Sequence, residues 1–276
     1  MVNPIFKNSY FTVLIASFLL TINLLQAQTN VSGNITTNTT WTKAASPYNL
    51  TSNVIVDNGA TLTIEPGVVV EAKGHIYLSV LGKIIAVGTE ADSIYFKGNG
   101  VKGFWTGIKI RNTGGSVLNA DYTYASGSKF SYVSVADADL GVYIFNNSFF
   151  IEKSNFRNNV IACEHRATTI SIIKNSIFYN NTKGSYINRT PYEARQDGNN
   201  ASDDVGLIVN LKLDNCDFIQ NGIAISGEYE SNSDPFDGFV ISNSKFDANK
   251  AAIELGKNYV FNIKNILIEI NKFINN

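Results

Sequence analysis

The sequence is poor in charge, cysteine and histidine, and each shortage removes a class of function. Only 16% of the 276 residues are charged and the net charge is -1, so there is no electrostatic basis for binding nucleic acid or an anionic membrane. Two cysteines cannot build a disulfide-rich scaffold, and two histidines exclude a histidine-rich metal centre. No stretch after residue 28 keeps a helical period of 3.6 for ten or more residues, so the pattern of a helical protein is missing.

The second half of the chain instead repeats one short pattern: a small residue, a variable residue, phenylalanine, two variable residues and asparagine. Successive phenylalanines of the pattern are 22, 40, 28 and 27 residues apart. A period in the twenties with one fixed apolar and one fixed turn position predicts a solenoid, in which each repeat buries its apolar side only against its neighbours. The pairs are Phe156 with Asn159, Phe178 with Asn181, Phe218 with Asn221, Phe246 with Asn249 and Phe273 with Asn276.

The runs around each phenylalanine, such as residues 170–173 and 211–213, alternate with period two. Three short strands per turn, stacked at about 4.8 Å, predict an all-β parallel β-helix. The phenylalanines would then form one internal stack, and the asparagines a ladder of hydrogen-bonded amides. The alternative is an antiparallel sandwich with Asn-rich turns, but hairpin turns of the Asn-Gly type are scarce.

The chain begins with the pattern of a secretory signal peptide. Lys7 precedes an apolar run at residues 10–25, and cleavage is expected near Ala27 or Gln28. Residues 1–28 are therefore predicted to be removed, leaving no membrane span. A retained anchor is the alternative, although the run is shorter than the roughly 20 residues that a spanning helix needs.

Residues 29–53 are rich in Thr, Asn and Ser, and we expect them to be too polar to form a coil. They would form an N-terminal cap, with Trp41 over the open end of the solenoid. Residues 54–276 are predicted to form about nine coils. The last repeat, at residues 271–276, would present an open edge, so we expect either a longer protein or another element that covers it.

Both cysteines are predicted to be buried thiols. Cys163 aligns with Ile225 and Ile253 at an inward position of the coil, and Cys216 takes the small-residue position of the repeat. A disulfide between Cys163 and Cys216 would have to join different positions of non-adjacent coils, which disfavours it.

The first coils also resemble a known family. They are similar to the opening coils of secreted bacterial right-handed parallel β-helix repeat proteins, in the pectate-lyase-like superfamily. The resemblance covers residues 31–110 and implies the fold, its right-handed winding and export, rather than an activity. It is carried by Trp41, Pro47-Tyr48, residues 59–68, residues 80–84, Ala86, Gly88-Thr89, residues 94–96 and residues 105–108.

The residues that a carbohydrate-active enzyme would need do not form a recognisable set. Polysaccharide lyases on this fold need a cation and an Arg or Lys base, and glycosidases need paired carboxylates. No cofactor motif is present, so we expect none, with Ca²⁺ only under a lyase interpretation. The available groups are Arg166, Arg189 and Arg195, with Asp137, Asp139, Asp203 and Asp204.

We therefore expect an exported, non-catalytic binding or structural scaffold, secreted or at the cell surface, that is adhesin-like or binds a glycan. A lyase or glycoside hydrolase of an acidic polysaccharide is the alternative. Two insertions leave their coils ten residues after a stacked phenylalanine, at Asn188 and Glu228, and equal offsets predict one shared corner. The candidate ligand-binding residues at this corner are His165, Arg166, Arg189, Tyr192, Arg195, Asp203, Asp204, Tyr229 and Asp237.

Overall fold

The computed structural model describes residues 28–111, 113–166, 170–189, 210–229, 239–255, 267–269 and 271–276, with 28 β-strands and no α-helix in these ranges. A single 3₁₀ turn lies at Lys43–Ala45. The strands are β1 Thr29–Ile35, β2 Thr39–Trp41, β3 Tyr48–Val56, β4 Thr61–Ile64, β5 Val69–Ala72, β6 Tyr77–Val80, β7 Lys83–Val87, β8 Ile94–Lys97, β9 Trp105–Ile110, β10 Ser116–Leu118, β11 Tyr124–Gly127, β12 Lys129–Ser131, β13 Val133–Ala136, β14 Ala138–Phe145, β15 Phe149–Glu152, β16 Asn155–Arg157, β17 Ile161–Arg166, β18 Ser171–Lys174, β19 Ile177–Tyr179, β20 Lys183–Arg189, β21 Leu211–Asp214, β22 Asp217–Ile219, β23 Ile223–Tyr229, β24 Phe239–Ser242, β25 Lys245–Asp247, β26 Ala251–Leu255, β27 Leu267–Glu269 and β28 Lys272–Ile274.

Every strand except the β10–β11 hairpin lies in one of three parallel faces that wind around a common core. The first face stacks β2, β4, β7, β12, β15, β18, β21, β24 and β27. The second stacks β5, β8, β13, β16, β19, β22, β25 and β28, and the third stacks β6, β9, β14, β17, β20, β23 and β26. Strands β1 and β3 run through both of these faces. The predicted right-handed parallel β-helix is confirmed.

Residues 29–53 differ from the expectation, because they form a coil. Strand β1 pairs in parallel with β3, and β2 pairs with β4. Polar composition did not prevent this, since only alternate positions face inward and these hold Trp41, Tyr48 and Leu50, all buried. The Trp41 ring stacks on Tyr48 at 4.8 Å inside the core rather than covering an open end. Of the nine first-face strands, eight lie after residue 54 and β2 supplies the ninth.

The phenylalanine stack is confirmed. The rings of neighbouring coils lie 5.1, 4.5, 5.0 and 4.8 Å apart between centroids, with interplanar angles of at most 18°. They lie on the second face with offset aromatic contacts, which favour this range of separation; the first four fill the interior, and the last, Phe273, is 51% exposed. The members are Phe156, Phe178, Phe218, Phe246 and Phe273.

The asparagine ladder is also confirmed, at the corner between the second and third faces, which we call the Asn corner. From Asn181 onward, each amide oxygen accepts from the backbone N–H and the side-chain amide of the preceding coil, as Asn181 does from Asn159 at 2.9 and 3.0 Å. The first member, Asn159, accepts from the Ala138 N–H. The Asn181 amide in turn donates to Asn221 and to the Phe156 carbonyl. These bonds satisfy buried polar groups that the sharp turn removes from the strand ladders.

Both cysteines are buried and free, as predicted. Cys163 shares its inward column with Ser185, Ile225 and Ile253, and the backbone N–H of Cys216 donates to Ser244 Oγ at 3.1 Å. Burial raises the pKa of the Cys216 thiol to about 12. Both thiols therefore pack as small apolar groups.

The remaining corner lies between the third and first faces, where the longest connections between strands of the coils follow β9, β20, β23 and β26. We call it the insertion corner. The β10–β11 hairpin is the part of these insertions that the structure describes. No helix within the described ranges is long and apolar enough to cross a membrane.

Candidate functional site

The predicted alignment at the insertion corner is present in the strand register. Arg166 pairs with Asn188, which pairs with Glu228, and Arg189 pairs with Tyr229. Three successive coils therefore bring equivalent positions of the third face to the same edge, at the strand spacing of about 4.8 Å.

His165 was wrongly placed among the ligand-binding candidates. It points into the core, in register with Ile144 and Ile187, and is fully buried. Neither ring nitrogen has a hydrogen-bond partner among the residues that the structure describes, and desolvation lowers the pKa of the imidazole to about 3. The physical reason is the two-residue period of the strand: because Arg166 faces outward, its neighbour His165 must face inward.

The other candidates divide into two groups. Arg166 faces outward at the end of β17, and its side chain is 7% exposed. Arg189 and Tyr229 end the neighbouring strands, but their side chains lie outside what the structure describes. Outside the described residues altogether are Tyr192, Arg195, Asp203, Asp204 and Asp237, whose roles stay predictions.

The structure adds Glu164, which the sequence analysis did not include. Its side chain lies on the same side of β17 as Arg166, is 5% exposed, and accepts a hydrogen bond of 2.7 Å from the Asn188 amide. Burial raises the pKa of this carboxyl, while the Asn188 bond and the charges of Arg166 and Lys183 oppose the increase. The two-residue period was the signal that could have found it, since positions 164 and 166 must share a side.

Tyrosines flank Glu164 on the adjacent coils. Tyr143 and Tyr186 are in register with it on either side, and both are buried. The Arg111 guanidinium lies 5.9 Å from the Tyr143 ring, and Lys183 Nζ lies 3.8 Å from the Tyr186 ring, both within the range of cation–π attraction. We call this set the third-face cluster; it comprises Tyr143, Glu164, Arg166, Tyr186 and Asn188.

The outer surface of the first face is covered at its middle coils. Tyr124 of the β10–β11 hairpin packs 5.7 Å from Phe150, between ring centroids. Lys129 Nζ lies 5.0 and 5.3 Å from these two rings and 2.7 Å from the Glu152 carboxylate. Phe150 is therefore only 2% exposed although it faces outward. The hairpin turn reaches further, with Lys212 Nζ 3.3 Å from the Tyr122 ring.

In the described part of the chain, no three His, Cys, Asp or Glu side chains come close enough together to hold a metal ion. Asp137, one of the acids considered for Ca²⁺, lies at the Asn corner rather than the insertion corner. Both of its carboxylate oxygens accept hydrogen bonds, from the Gly100 N–H at 2.9 Å and from the Asn158 amide at 2.8 Å.

Three parallel faces wound around one core, with stacked aromatic and amide ladders, define a parallel β-helix protein. Residues 33–142 match the family model described as the pectate-lyase-like β-helix domain. Comparisons with curated proteins and with solved structures found no match. The matched segment ends before Tyr143, so the family supports the fold and the third-face cluster lies beyond it.

Proposed function

We propose that the protein is an exported β-helix scaffold that binds a glycan at the insertion corner without catalysing its cleavage. The observation that carries the proposal is the third-face cluster, in which aromatic and charged side chains face outward on three successive coils beside that corner. Because the cluster's own Tyr143 and Tyr186 rings are buried, flat apolar surfaces with a polar end would come from Tyr192 and Tyr229 at the corner. Charged groups there would bind hydroxyl and acidic substituents.

The geometry also suits an extended ligand. Equivalent positions recur at every coil, so a chain of similar sugar units can meet similar side chains at regular spacing. The hydrogen bond from the partly buried Asn188 to the buried Glu164 would hold the ends of β17 and β20 in place. Arg189, Tyr192, Arg195, Asp203, Asp204, Tyr229 and Asp237 are proposed as the contact residues, together with Arg166.

One observation favours a second candidate, an enzyme acting on an acidic polysaccharide. Burial raises the pKa of the Glu164 carboxyl, and a raised carboxyl pKa is a property of the general acid in glycoside-cleaving enzymes. Arg166 and Lys183 also act on this carboxyl, as does the negative charge of Asp139. The scaffold interpretation is preferred because Glu164 is buried and already hydrogen-bonded to Asn188.

Binding and turnover can be separated in one experiment. The secreted protein is titrated calorimetrically with a panel of acidic polysaccharides, while unsaturated products and new reducing ends are followed in parallel. We expect binding without products. A variant with Tyr192, Arg195 and Tyr229 changed to alanine should lose at least ten-fold in affinity, whereas the exposed second-face variant Tyr95→Ala should not.

Two results would count against the proposal. Unchanged affinity in the triple variant, with an unchanged circular dichroism spectrum, would move the site away from the insertion corner. Product formation that is lost in Glu164→Gln would establish the enzyme instead. Export is tested separately, by N-terminal sequencing of the secreted chain, which we expect to begin near Gln28 or Thr29.

A further inference from the structure

A cleft of about 530 Å³ lies on the outer side of the Asn corner, away from the insertion corner. One wall is the loop between β8 and β9, which contains Asn99 and Gly100. The other is the outer surface of the next coils, where Arg157 and Tyr179 end second-face strands and Asn158 and Asn180 follow them.

The cleft is held open by hydrogen bonds within the protein. The Asp137 carboxylate accepts from the Gly100 N–H at 2.9 Å and from the Asn158 amide at 2.8 Å. The same amide also donates to the Gly100 carbonyl at 3.0 Å, which ties the loop to the corner. Asp137 and Asn158 hold left-handed backbone conformations, with φ of 65° and 57°, that aim both side chains at the loop. A site fixed in this way loses little conformational entropy when a ligand binds.

The functional groups that remain available are a cation and an aromatic ring. Arg157 and Tyr179 are in register on adjacent strands, so their side chains lie side by side on the outer surface. Tyr179 is 42% exposed, and Arg157 is exposed with no hydrogen bond or ion pair to any residue that the structure describes. Lys97, at the edge of the cleft, is already paired with Glu71 at 3.1 Å.

The charge balance favours an anion. The charged residues that line the cleft are Lys97, Asp137 and Arg157, so two cations face one carboxylate, whose oxygens already accept from the Gly100 N–H and the Asn158 amide. A guanidinium can bind a carboxylate or a sulfate through two parallel hydrogen bonds. The Asn99 and Asn180 side chains can donate to and accept from hydroxyl groups.

From this geometry we infer that the cleft binds a sugar unit carrying a carboxylate or a sulfate. The acidic group meets Arg157, the sugar ring lies on Tyr179, and hydroxyl groups meet the amides of Asn99 and Asn180. This site is separate from the one proposed at the insertion corner and does not depend on it.

The test uses three defined probes and calorimetric titration of the full mature chain. The probes are a hyaluronan tetrasaccharide, its carboxyl-reduced neutral form, and a chondroitin sulfate tetrasaccharide; together they distinguish a carboxylate from a sulfate as the recognised group. We expect at least one acidic tetrasaccharide to bind, and the neutral form to bind at least ten-fold more weakly if the carboxylate is recognised. Arg157→Gln should lose at least ten-fold in affinity, and Tyr179→Ala about three- to ten-fold.

Two variants serve as controls. Lys272→Gln removes one exposed charge from the same face, four coils further along, and should leave the affinity unchanged. Arg166→Gln changes a proposed contact of the separate insertion corner and shows whether that corner also takes up these probes. If Arg166→Gln abolishes binding and Arg157→Gln does not, the sugar sits at the insertion corner and the cleft is excluded. Equal affinity of the wild type and Arg157→Gln, or no binding of any acidic probe, would overturn the inference as well.

Discussion

The early and late coils of this protein build the same fold in two different ways. In one inward column of the second face, the early coils place Tyr48, Val70, Phe96 and Val135, and the later coils place only phenylalanine. The Asn corner differs as well. Early coils turn through loops of unequal length, at residues 73–76 and 98–104, while later coils turn tightly through the asparagine ladder.

The difference shows what a β-helix requires and what it leaves free. An apolar inward side chain and a satisfied corner are required in every coil, but neither the residue type nor the corner length is fixed. The irregular early corners accommodate loops that project from the surface. The regular asparagine ladder holds the later corners in one fixed conformation. The anion cleft lies where the two meet, between the loop at residues 98–104 and the side chains of Arg157 and Tyr179.

Breaking the ladder should have the largest effect. Asn181→Ala removes the acceptor of the Asn159 N–H and the donor to the Phe156 carbonyl, both in the buried interior. We expect a loss of about 3–6 kcal/mol in the free energy of unfolding, because each buried polar group left unpaired costs about 1–3 kcal/mol. Urea unfolding followed by circular dichroism measures it. Asn180→Gly, at an exposed left-handed position next to the ladder, should change the free energy by less than about 1 kcal/mol.

Giving a late coil an early residue should have a smaller effect. Phe218→Val leaves a cavity and removes ring contacts at 4.5 and 5.0 Å, so we expect a loss of about 2–4 kcal/mol. Val70→Ala, in the same column among the early coils, should cost about 1–3 kcal/mol. An equal or smaller loss for Phe218→Val, from the same denaturation curves, would mean that the continuous stack adds nothing to ordinary apolar burial.

The third prediction has the smallest magnitude near neutral pH and the opposite sign. His165→Ile extends the aliphatic column of Ile144 and Ile187 and removes a buried, unpaired imidazole, so we expect about 1–3 kcal/mol of stabilisation at pH 7.5. Because burial depresses the pKa of His165 to about 3, the wild type loses stability as the pH falls from about 6.5 towards 3.

Melting temperatures of both proteins across this pH window provide the measurement. The gap between His165→Ile and the wild type should widen as the pH falls. Ile187→Val, at the next position of the column, should cost about 0.5–1.5 kcal/mol, and its difference from the wild type should not change with pH. A constant gap for His165→Ile would show that the pKa of His165 is the same in the folded and unfolded states.

The fold could be predicted because its determinants recur in the sequence. Phe178 and Asn181 sit at matching offsets in each repeat, so one assignment fixes the column for all later coils. The first coil was missed because its average composition is polar, although burial depends only on the alternate positions that hold Trp41 and Leu50. Composition over a window therefore misjudges a strand with one buried side.

The candidate site could be predicted only in part. Repeat offsets gave the register of Arg166 with Asn188, but inward and outward positions were not separated, which placed His165 on the wrong side and omitted Glu164. The cleft could not be found from the sequence. It depends on a loop near residue 100 folding onto a side chain, Asn158, that lies 58 positions later, and no local pattern encodes that contact.

The asparagine ladder also bears on how such a chain can change its length in evolution. Asn159 and Asn181 make the same hydrogen bonds to their neighbours. The end of one coil could therefore be connected to the start of any later coil with the same hydrogen bonds. Recombination that removes residues 155–176, for instance, would join Ser154 to Ile177 in the register that Asn155 now occupies. Whole turns could be gained or lost while every remaining amide kept a partner. The number of coils, and with it the length of the outer surface along the solenoid axis, could therefore change without loss of these hydrogen bonds.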